Sequence, residues 1–149
     1  SSALHGRLRH LMKQHVIIDT GPLVAAINRK DTFHSWAVQQ LSTIQKPLYT
    51  CEAVVSEASF LLQQVYGGRQ ALLAWLSQGL VVVDFQLRDE ISAIQALMQQ
   101  YESVPMSLAD ACLVRMAELQ PGSDVFTIDG DFVIYRLNRN QLIPVIMPS

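Results

Sequence analysis

Five acidic side chains of the sequence are placed where they could bind one cation together. They are Asp19, Glu57, Asp110, Asp129 and Asp131. Carboxylates that lie close together raise one another's pKa, so such a group is expected to be stable when a hard divalent cation lies between them. An all-oxygen set of ligands favours Mg²⁺ or Mn²⁺. Structural zinc is not predicted, because zinc sites are built from clustered cysteine and histidine side chains.

The histidines and cysteines of this sequence are too scattered to form such a cluster. Cys51 and Cys112 lack the spacing of metal ligands and predict free thiols in a reducing compartment. The histidines are not predicted to be ligands: His5, His10, His15 and His34. No apolar run reaches the roughly 18 residues needed to cross a bilayer, so we expect a soluble, cytoplasmic protein without a membrane partner.

Length and composition predict a single folded domain. Half of the 149 residues are hydrophobic, which argues against disorder. Residues 1–14 are predicted to be a polar tail without the apolar core of a secretory signal, which leaves 15–149 as the domain. The formal net charge of −2 at pH 7 argues against a simple nucleic-acid-binding module. Without the five acidic residues above, however, 8 acidic residues face 11 Lys and Arg residues, a balance of +3 that tolerates a polyanion.

Asp19 directly follows a predicted buried strand. Val16–Ile18 is an apolar, β-branched run that is typical of strands in a parallel sheet. Thr20 is a candidate N-cap, and Pro22 suits the first turn of a helix that continues to Ile27. Asp19 is therefore predicted at the carboxyl end of a strand, where open α/β sheets bind their ligands. The alternative is that its carboxylate only caps the helix.

Glu57 lies in a helix predicted over Glu52–Tyr66. It comes three residues after Val54 and four before Leu61, so its side chain is expected along the apolar stripe of the helix. Burying an ionised carboxylate is costly without a partner, so a metal ion or a basic group should lie nearby. The alternative is a glutamate at the edge of the stripe that reaches solvent.

The other three acidic residues also stand at a helix start or a strand end. Asp110 lies in the first turn of a predicted helix among small and apolar neighbours; alternatively, it forms a capping box with Ser107. Asp129 and Asp131 follow the predicted strand Ser123–Ile128 and flank a glycine, so both carboxylates can face one cation. Alternatively, they are solvated residues of a glycine turn.

The rest of the sequence alternates predicted strands and helices. Further strands are predicted at Pro47–Thr50, Leu80–Asp84 and Ile143–Ile146. Amphipathic helices are predicted at Asp31–Gln45, Arg69–Gln78 and Leu87–Tyr101. This alternation predicts an α/β fold with a mainly parallel sheet, in which the carboxyl ends of the strands bring the acidic residues to one edge.

Four segments give the sequence a resemblance to a known family. They read VIIDTGPLVAA from Val16, VVSEASFLL from Val54, SLADACLVRMA from Ser107 and FTIDGDF from Phe126. Their order and their placement in an alternating α/β chain resemble those of PIN-domain ribonucleases, over nearly the whole chain from His15. The resemblance implies a three-layer α/β/α fold with sheet order 3-2-1-4-5. It also implies a metal-dependent endonuclease that acts on RNA.

The resemblance assigns the site residue by residue. The acidic quartet of the family is matched by Asp19, Glu57, Asp110 and Asp129. Asp131 matches a frequent auxiliary position, and Thr20 and Thr127 match positions that often carry a hydroxyl beside the metal. The implied reaction is hydrolysis of a phosphodiester by water that Mg²⁺ or Mn²⁺ activates, which leaves a 5′ phosphate and a 3′ hydroxyl.

The resemblance also predicts partners. The length is similar to that of the toxin members of bacterial toxin–antitoxin pairs, so an antitoxin protein is a candidate partner beside the RNA substrate. A homodimer is expected because the family often pairs, and Trp36 or Trp75 would suit an interface. The candidates for contacts with the RNA backbone are Arg29, Lys30 and Arg115.

Other interpretations of the acidic residues stay open. A phosphate-accepting receiver-like domain has a similar architecture, but it would need a lysine at the end of the last strand, and none follows Ile143. A haloacid-type phosphatase would need a second acid two residues after Asp19, where Gly21 stands. A catalytically silent PIN-like module would bind a partner without cleaving RNA, and the presence of all four acidic residues argues against it.

Overall fold

The structure is a computed structural model that describes residues 12–149, so residues 1–11 of the predicted tail lie outside the described residues. In chain order, the helices and strands are β1 (Val16–Ile18), α1 (Thr20–Ile27), α2 (His34–Leu41), β2 (Leu48–Thr50), α3 (Glu52–Leu61), α4 (Gly68–Ser77), β3 (Val81–Val83), α5 (Ile91–Gln100), α6 (Leu108–Leu119), β4 (Asp124–Phe126), β5 (Arg136–Leu137), β6 (Gln141–Leu142) and β7 (Val145–Ile146). Short 3₁₀ helices at Leu87–Glu90 and Gly130–Val133 precede α5 and follow β4.

Five strands form one parallel sheet in the order β3-β2-β1-β4-β7. In the centre, Ile17 pairs with Tyr49 of β2 on one side and with Val125 of β4 on the other. All three residues of β1 are buried, as expected for a strand that is covered on both faces. The predicted order 3-2-1-4-5 is confirmed, with β7 as the fifth strand of the sheet.

A pair of two-residue antiparallel strands, β5 and β6, lies between β4 and β7 in the sequence and is not predicted by the pattern. The turn between them contains Asn138 and Arg139, which have left-handed φ angles of 49° and 76°. Strands of two residues carry no alternation of apolar and polar side chains, so periodicity does not reveal them.

Helices cover the sheet and complete the three-layer arrangement. α1 packs against α2, α3 and α4, whereas α5 packs against α6. α6 also contacts β1 and β4, so the helix that contains Asp110 lies beside the strands that end before Asp19 and Asp129. Within residues 12–149, no helix is both long and apolar enough to cross a membrane.

Several helix boundaries differ from their predictions, and two of these differences have a clear local cause. The N-cap of α1 is Asp19 rather than Thr20, because the Asp19 side chain accepts the backbone N–H of Thr20. α3 ends at Leu61 rather than at Tyr66, because the chain turns toward α4 through Gly67. This glycine has a φ of 69°, a left-handed conformation that a glycine adopts without steric cost.

Lys13, which the sequence assigns to the tail, contacts the folded domain. Its backbone forms an isolated parallel bridge with Ile44, and its ammonium nitrogen lies 2.9 Å from a carboxylate oxygen of Asp124. The ammonium group is largely exposed, so the ion pair contributes about 1 kcal/mol at most to stability.

Candidate functional site

Three carboxylates meet at one edge of the sheet. Oxygen atoms of Asp19, Asp110 and Asp129 all lie within 4.8 Å of one another. β1 and β4 are parallel neighbours in which Ile18 pairs with Phe126, so the residues that follow these strands emerge on the same side. The packing of α6 against both strands adds Asp110 from the first turn of that helix. The predicted convergence of these three residues is therefore present.

Asp19 is held by two hydrogen bonds in a buried position. Its Oδ1 accepts the backbone N–H of Thr20 at 2.7 Å, and its Oδ2 accepts the hydroxyl of Thr127, also at 2.7 Å. Burial, with smaller contributions from the charges of Asp110 and Asp129, raises the pKa of Asp19 from 3.8 to about 6, although both hydrogen bonds oppose the shift. An uncompensated negative charge at this position is therefore unfavourable.

Asp110 both caps α6 and belongs to the carboxylate group. Its backbone N–H donates to Ser107 Oγ at 3.0 Å, and its Oδ2 accepts the Ser107 N–H at 3.4 Å, which completes a capping box. The same Oδ2 accepts the hydroxyl of Tyr135 at 2.9 Å. Burial, aided by the charge of Asp129, raises the pKa of Asp110 against the effect of these hydrogen bonds. The capping interpretation and the site interpretation thus describe the same side chain.

Asp129 and Asp131 form a tight turn after β4. Asp129 Oδ1 accepts the N–H of Asp131 at 2.9 Å and so caps the 3₁₀ helix Gly130–Val133. Asp131 is half-buried and lies outside the group of three carboxylates. The two aspartates therefore have different positions, although the sequence pattern treats them as a pair.

The two predicted hydroxyls differ in their contacts. Thr127 is fully buried; its hydroxyl donates to Asp19 and accepts the backbone N–H of Asp129 at 2.9 Å. It therefore fixes the relative positions of two of the three carboxylates. The hydroxyl of Thr20 is also buried, and it has no hydrogen-bond partner within the described part of the chain.

The donor set fits a hard divalent cation. Within residues 12–149, ion pairs involve Lys13 and Arg115, and none reaches the three carboxylates. Carboxylate oxygens without a basic partner are the ligands that Mg²⁺ and Mn²⁺ prefer. A cation of this kind would offset the mutual repulsion and the burial of the three charges.

Comparisons with known proteins support this fold from structure rather than from sequence. No protein-family model matches the sequence, and no curated protein matches it either. Among solved structures, the chain is similar to Mycobacterium tuberculosis VapC20, a toxin that cleaves the sarcin–ricin loop. The TM-score is 0.73 at 20% sequence identity, and the match covers 85% of this chain and 98% of that chain.

The chain has a PIN-like fold. The fold implied by the resemblance of the four sequence segments is thereby confirmed. The strand order and the parallel pairing agree with this fold, and the structural match extends over nearly all of the toxin chain.

Glu57, the fourth acidic residue of the PIN-like quartet, is exposed on α3 and lies outside the group of three carboxylates. The prediction that the Glu57 side chain lies along the buried stripe of this helix is wrong. The buried face of α3 continues from Val54 through Ala58 to Leu62, each 0% exposed, whereas Leu61 is 49% exposed. Glu57 is therefore one position away from the buried face, and its carboxylate reaches solvent as the alternative interpretation holds.

Of the predicted RNA contacts, Arg115 is engaged elsewhere. Its Nε donates to Glu90 at 2.6 Å and its Nη1 to Glu118 at 3.3 Å, so its charge is already paired with two carboxylates. Arg29 and Lys30 are exposed just beyond the end of α1. Because α1 has eight residues and begins at the site, they lie about 12 Å along the helix from the carboxylates.

Tyr135 is a site neighbour that the sequence analysis missed. It is fully buried, and its hydroxyl contacts Asp110 directly. The residue follows the acidic turn by four positions in a segment without clear periodicity, so neither the spacing nor a motif indicates it. The sequence offers one indication, the residue type itself, because a tyrosine that is buried usually needs a hydrogen-bond partner for its hydroxyl.

Proposed function

We propose that the chain is an endoribonuclease that uses Mg²⁺ or Mn²⁺ to hydrolyse phosphodiester bonds of RNA. The observation that carries this proposal is the convergence of Asp19, Asp110 and Asp129 within 4.8 Å, without a basic partner in the described part of the chain. The PIN-like fold and the likeness to a toxin that cleaves the sarcin–ricin loop support RNA as the substrate.

In this proposal the acidic residues have graded roles. Asp19 and Asp110, at 8% and 9% exposure, are the central ligands, and Asp129 supplies the third carboxylate. Glu57 and Asp131 lie outside the group of three and would act as outer partners of the cation. When bound, the cation supplies an activated water as the nucleophile and neutralises charge on the phosphate and the leaving 3′ oxygen.

The chain itself holds the ligands in place before substrate binds. Thr127 and the Thr20 N–H hold the Asp19 carboxylate, and Tyr135 and the Ser107 N–H hold that of Asp110. Such pre-positioning lowers the cost of reorganising the ligands when the cation binds. No side-chain nucleophile is required: water attacks the phosphorus and the 3′ oxygen leaves, so the products carry a 5′ phosphate and a 3′ hydroxyl.

The proposed biological role is that of a toxin in a toxin–antitoxin pair. This role is supported by the structural match to a toxin, which extends over 98% of the toxin chain. An antitoxin protein and a second copy of this chain are the proposed protein partners, in the cytoplasm. Arg29 and Lys30 stay proposed contacts for the RNA backbone, at a distance from the cleaved bond.

Cleavage of a mixed RNA pool tests the activity. We expect fragments with 5′ phosphates in the presence of 1–10 mM Mn²⁺ or Mg²⁺ and no fragments in excess EDTA, because the carboxylates need the cation to bind the phosphate. Sequencing of the new 5′ ends measures the cut positions. Cleavage that persists unchanged in EDTA contradicts the proposal, and so do fragments that carry 2′,3′-cyclic phosphates.

Glu57→Gln tests the assignment of the exposed glutamate. We expect the Mn²⁺ concentration for half-maximal cleavage to rise by about 3-fold to 10-fold, since an outer-sphere partner of a metal typically contributes this much or more. The free energy of unfolding without metal should change by less than about 0.5 kcal/mol, because the side chain is exposed.

Glu52→Gln is the matched control, because Glu52 is an exposed glutamate of the same helix. It lies more than one turn from Glu57 and should leave the Mn²⁺ dependence unchanged. Equal Mn²⁺ curves for the wild type and both variants would remove Glu57 from the site.

A further inference from the structure

Asp110 is oriented by a side chain from a different part of the chain. The hydroxyl of Tyr135 donates to Asp110 Oδ2 at 2.9 Å, and the other donor to this oxygen, the Ser107 N–H, is farther away at 3.4 Å. Two donors on one oxygen restrict rotation of the carboxylate about its Cβ–Cγ bond. The shorter of the two bonds comes from Tyr135, so this residue contributes most to that restriction.

Contacts to both the ring and the backbone of Tyr135 restrict its position. Its ring makes edge contacts with Phe132 and Tyr101, with ring centres 5.2 Å and 5.1 Å away. The guanidinium of Arg136 donates to the carbonyl oxygen of Tyr135 at 3.0 Å. The hydroxyl of Tyr135 therefore has a fixed position against which Asp110 is aligned.

The segment that carries Tyr135 also carries Asp129. The turn from Asp129 through the 3₁₀ helix Gly130–Val133 to Tyr135 spans seven residues. Asp129 contributes its own carboxylate to the group of three, and Tyr135 contacts the carboxylate of Asp110 on α6. One short segment thus sets the position of one carboxylate and the orientation of another.

We propose that Tyr135 is a positioning residue, which orients the Asp110 carboxylate for a divalent cation through its hydroxyl. The inference rests on the proposed metal-dependent function of the same site. Partners that orient a ligand typically contribute about 10-fold to 100-fold to metal affinity. The competing explanation is that Asp110 only satisfies the buried hydroxyl of Tyr135 and that the metal affinity does not depend on it.

Tyr135→Phe separates these explanations, with Tyr101→Phe as the matched control. Both substitutions remove one buried tyrosine hydroxyl from the same aromatic cluster and keep the ring, but the hydroxyl of Tyr101 contacts a backbone N–H instead of a carboxylate. Direct Mn²⁺ binding is measured without RNA, by the electron paramagnetic resonance signal of free Mn²⁺. We expect the Kd for Mn²⁺ to rise about 10-fold in Tyr135→Phe and less than about 2-fold in Tyr101→Phe.

A second readout uses cleavage. Tyr135→Phe should lose activity at limiting Mn²⁺ and recover most of it at saturating Mn²⁺, whereas a loss caused by unfolding does not recover in this way. In an Asp110→Asn background, Tyr135→Phe should weaken Mn²⁺ binding no further, because it acts through Asp110. Additive losses in the double variant overturn the inference.

The remaining outcomes separate this inference from the proposed function. A Kd for Mn²⁺ that is equal in the wild type and Tyr135→Phe overturns the positioning role alone. An equal rise in both phenylalanine variants also overturns it, because it indicates general loosening of the aromatic cluster. If the wild type binds no Mn²⁺ at all, the proposed metal site fails and the inference fails with it.

Discussion

Asp19→Asn is expected to lower RNA cleavage at saturating Mn²⁺ by about 100-fold or more and, at the same time, to stabilise the metal-free protein. The loss of activity follows because the substitution removes a central anionic ligand, a larger change than the loss of a partner that orients one. The gain in stability follows because the carboxylate it replaces is buried beside two others. Opposite changes in activity and stability distinguish a functional carboxylate from a structural one.

The size of the stabilisation follows from the pKa of Asp19. Its rise from 3.8 to about 6 corresponds to an unfavourable contribution of roughly 3 kcal/mol for the ionised side chain at pH 7.5. The asparagine keeps an oxygen that accepts the Thr20 N–H, and its amide donates to Thr127 Oγ1 in place of the present bond. Because this reverses the direction of the Thr127 bond, we expect a net gain of about 1–2 kcal/mol.

Urea unfolding in EDTA measures the stability, and initial rates on one RNA measure the activity. Asp84→Asn is the matched control, because Asp84 is an exposed aspartate that follows β3 and lies outside the carboxylate group. It should leave both quantities nearly unchanged. If Asp19→Asn unfolds more readily than the wild type, the hydrogen bond that the carboxylate accepts from Thr127 outweighs the repulsion, and the carboxylate is mainly structural.

The sheet and three of the acidic positions could be predicted because they depend on local patterns. The β-branched run Val16–Ile18 is an unmistakable buried strand, and the next residue of such a strand must leave the sheet at its carboxyl edge. The same argument applies to Asp129 after β4. Asp110 was predictable both as a cap and as a member of the acidic group, and in the structure the side chain that completes the capping box also lies beside Asp19 and Asp129.

Glu57 and Tyr135 could not be placed because their positions depend on tertiary packing. The apolar residues of α3 occur on more than one face, and the sequence does not say that Leu62 rather than Leu61 is buried. A shift of one residue on a helix turns a side chain by about 100°, which moves Glu57 from the buried stripe to the surface. Tyr135 reaches Asp110 across 25 positions of sequence, and it lies between a four-residue 3₁₀ helix and a two-residue strand, both too short to leave a periodic signal.

The metal-free protein should lose stability as the pH rises from about 4 to about 6, relative to the Asp19→Asn variant. The pKa of Asp19 is about 6 in the folded protein against 3.8 for the ordinary side chain. Between these values the folded state binds more protons than the unfolded state, so the free energy of unfolding falls with pH. The raised pKa of Asp110, also caused mainly by burial, contributes with the same sign in the wild type and in the variant, so the comparison between them isolates Asp19.

Mg²⁺ should reverse this loss, because it binds the ionised carboxylates that the proton would otherwise neutralise. At pH 7.5, a cation at about ten times its Kd stabilises the folded state by about 1.4 kcal/mol, or roughly 4 °C in Tm. At pH 4.5 the same concentration should have little effect, because Asp19 is then protonated in the folded protein. Thermal melts at both pH values, with Mg²⁺ or EDTA, measure the difference. A Tm shift of equal size at pH 4.5 and 7.5, or one that Asp19→Asn retains in full, would assign Mg²⁺ binding to other groups than these buried carboxylates.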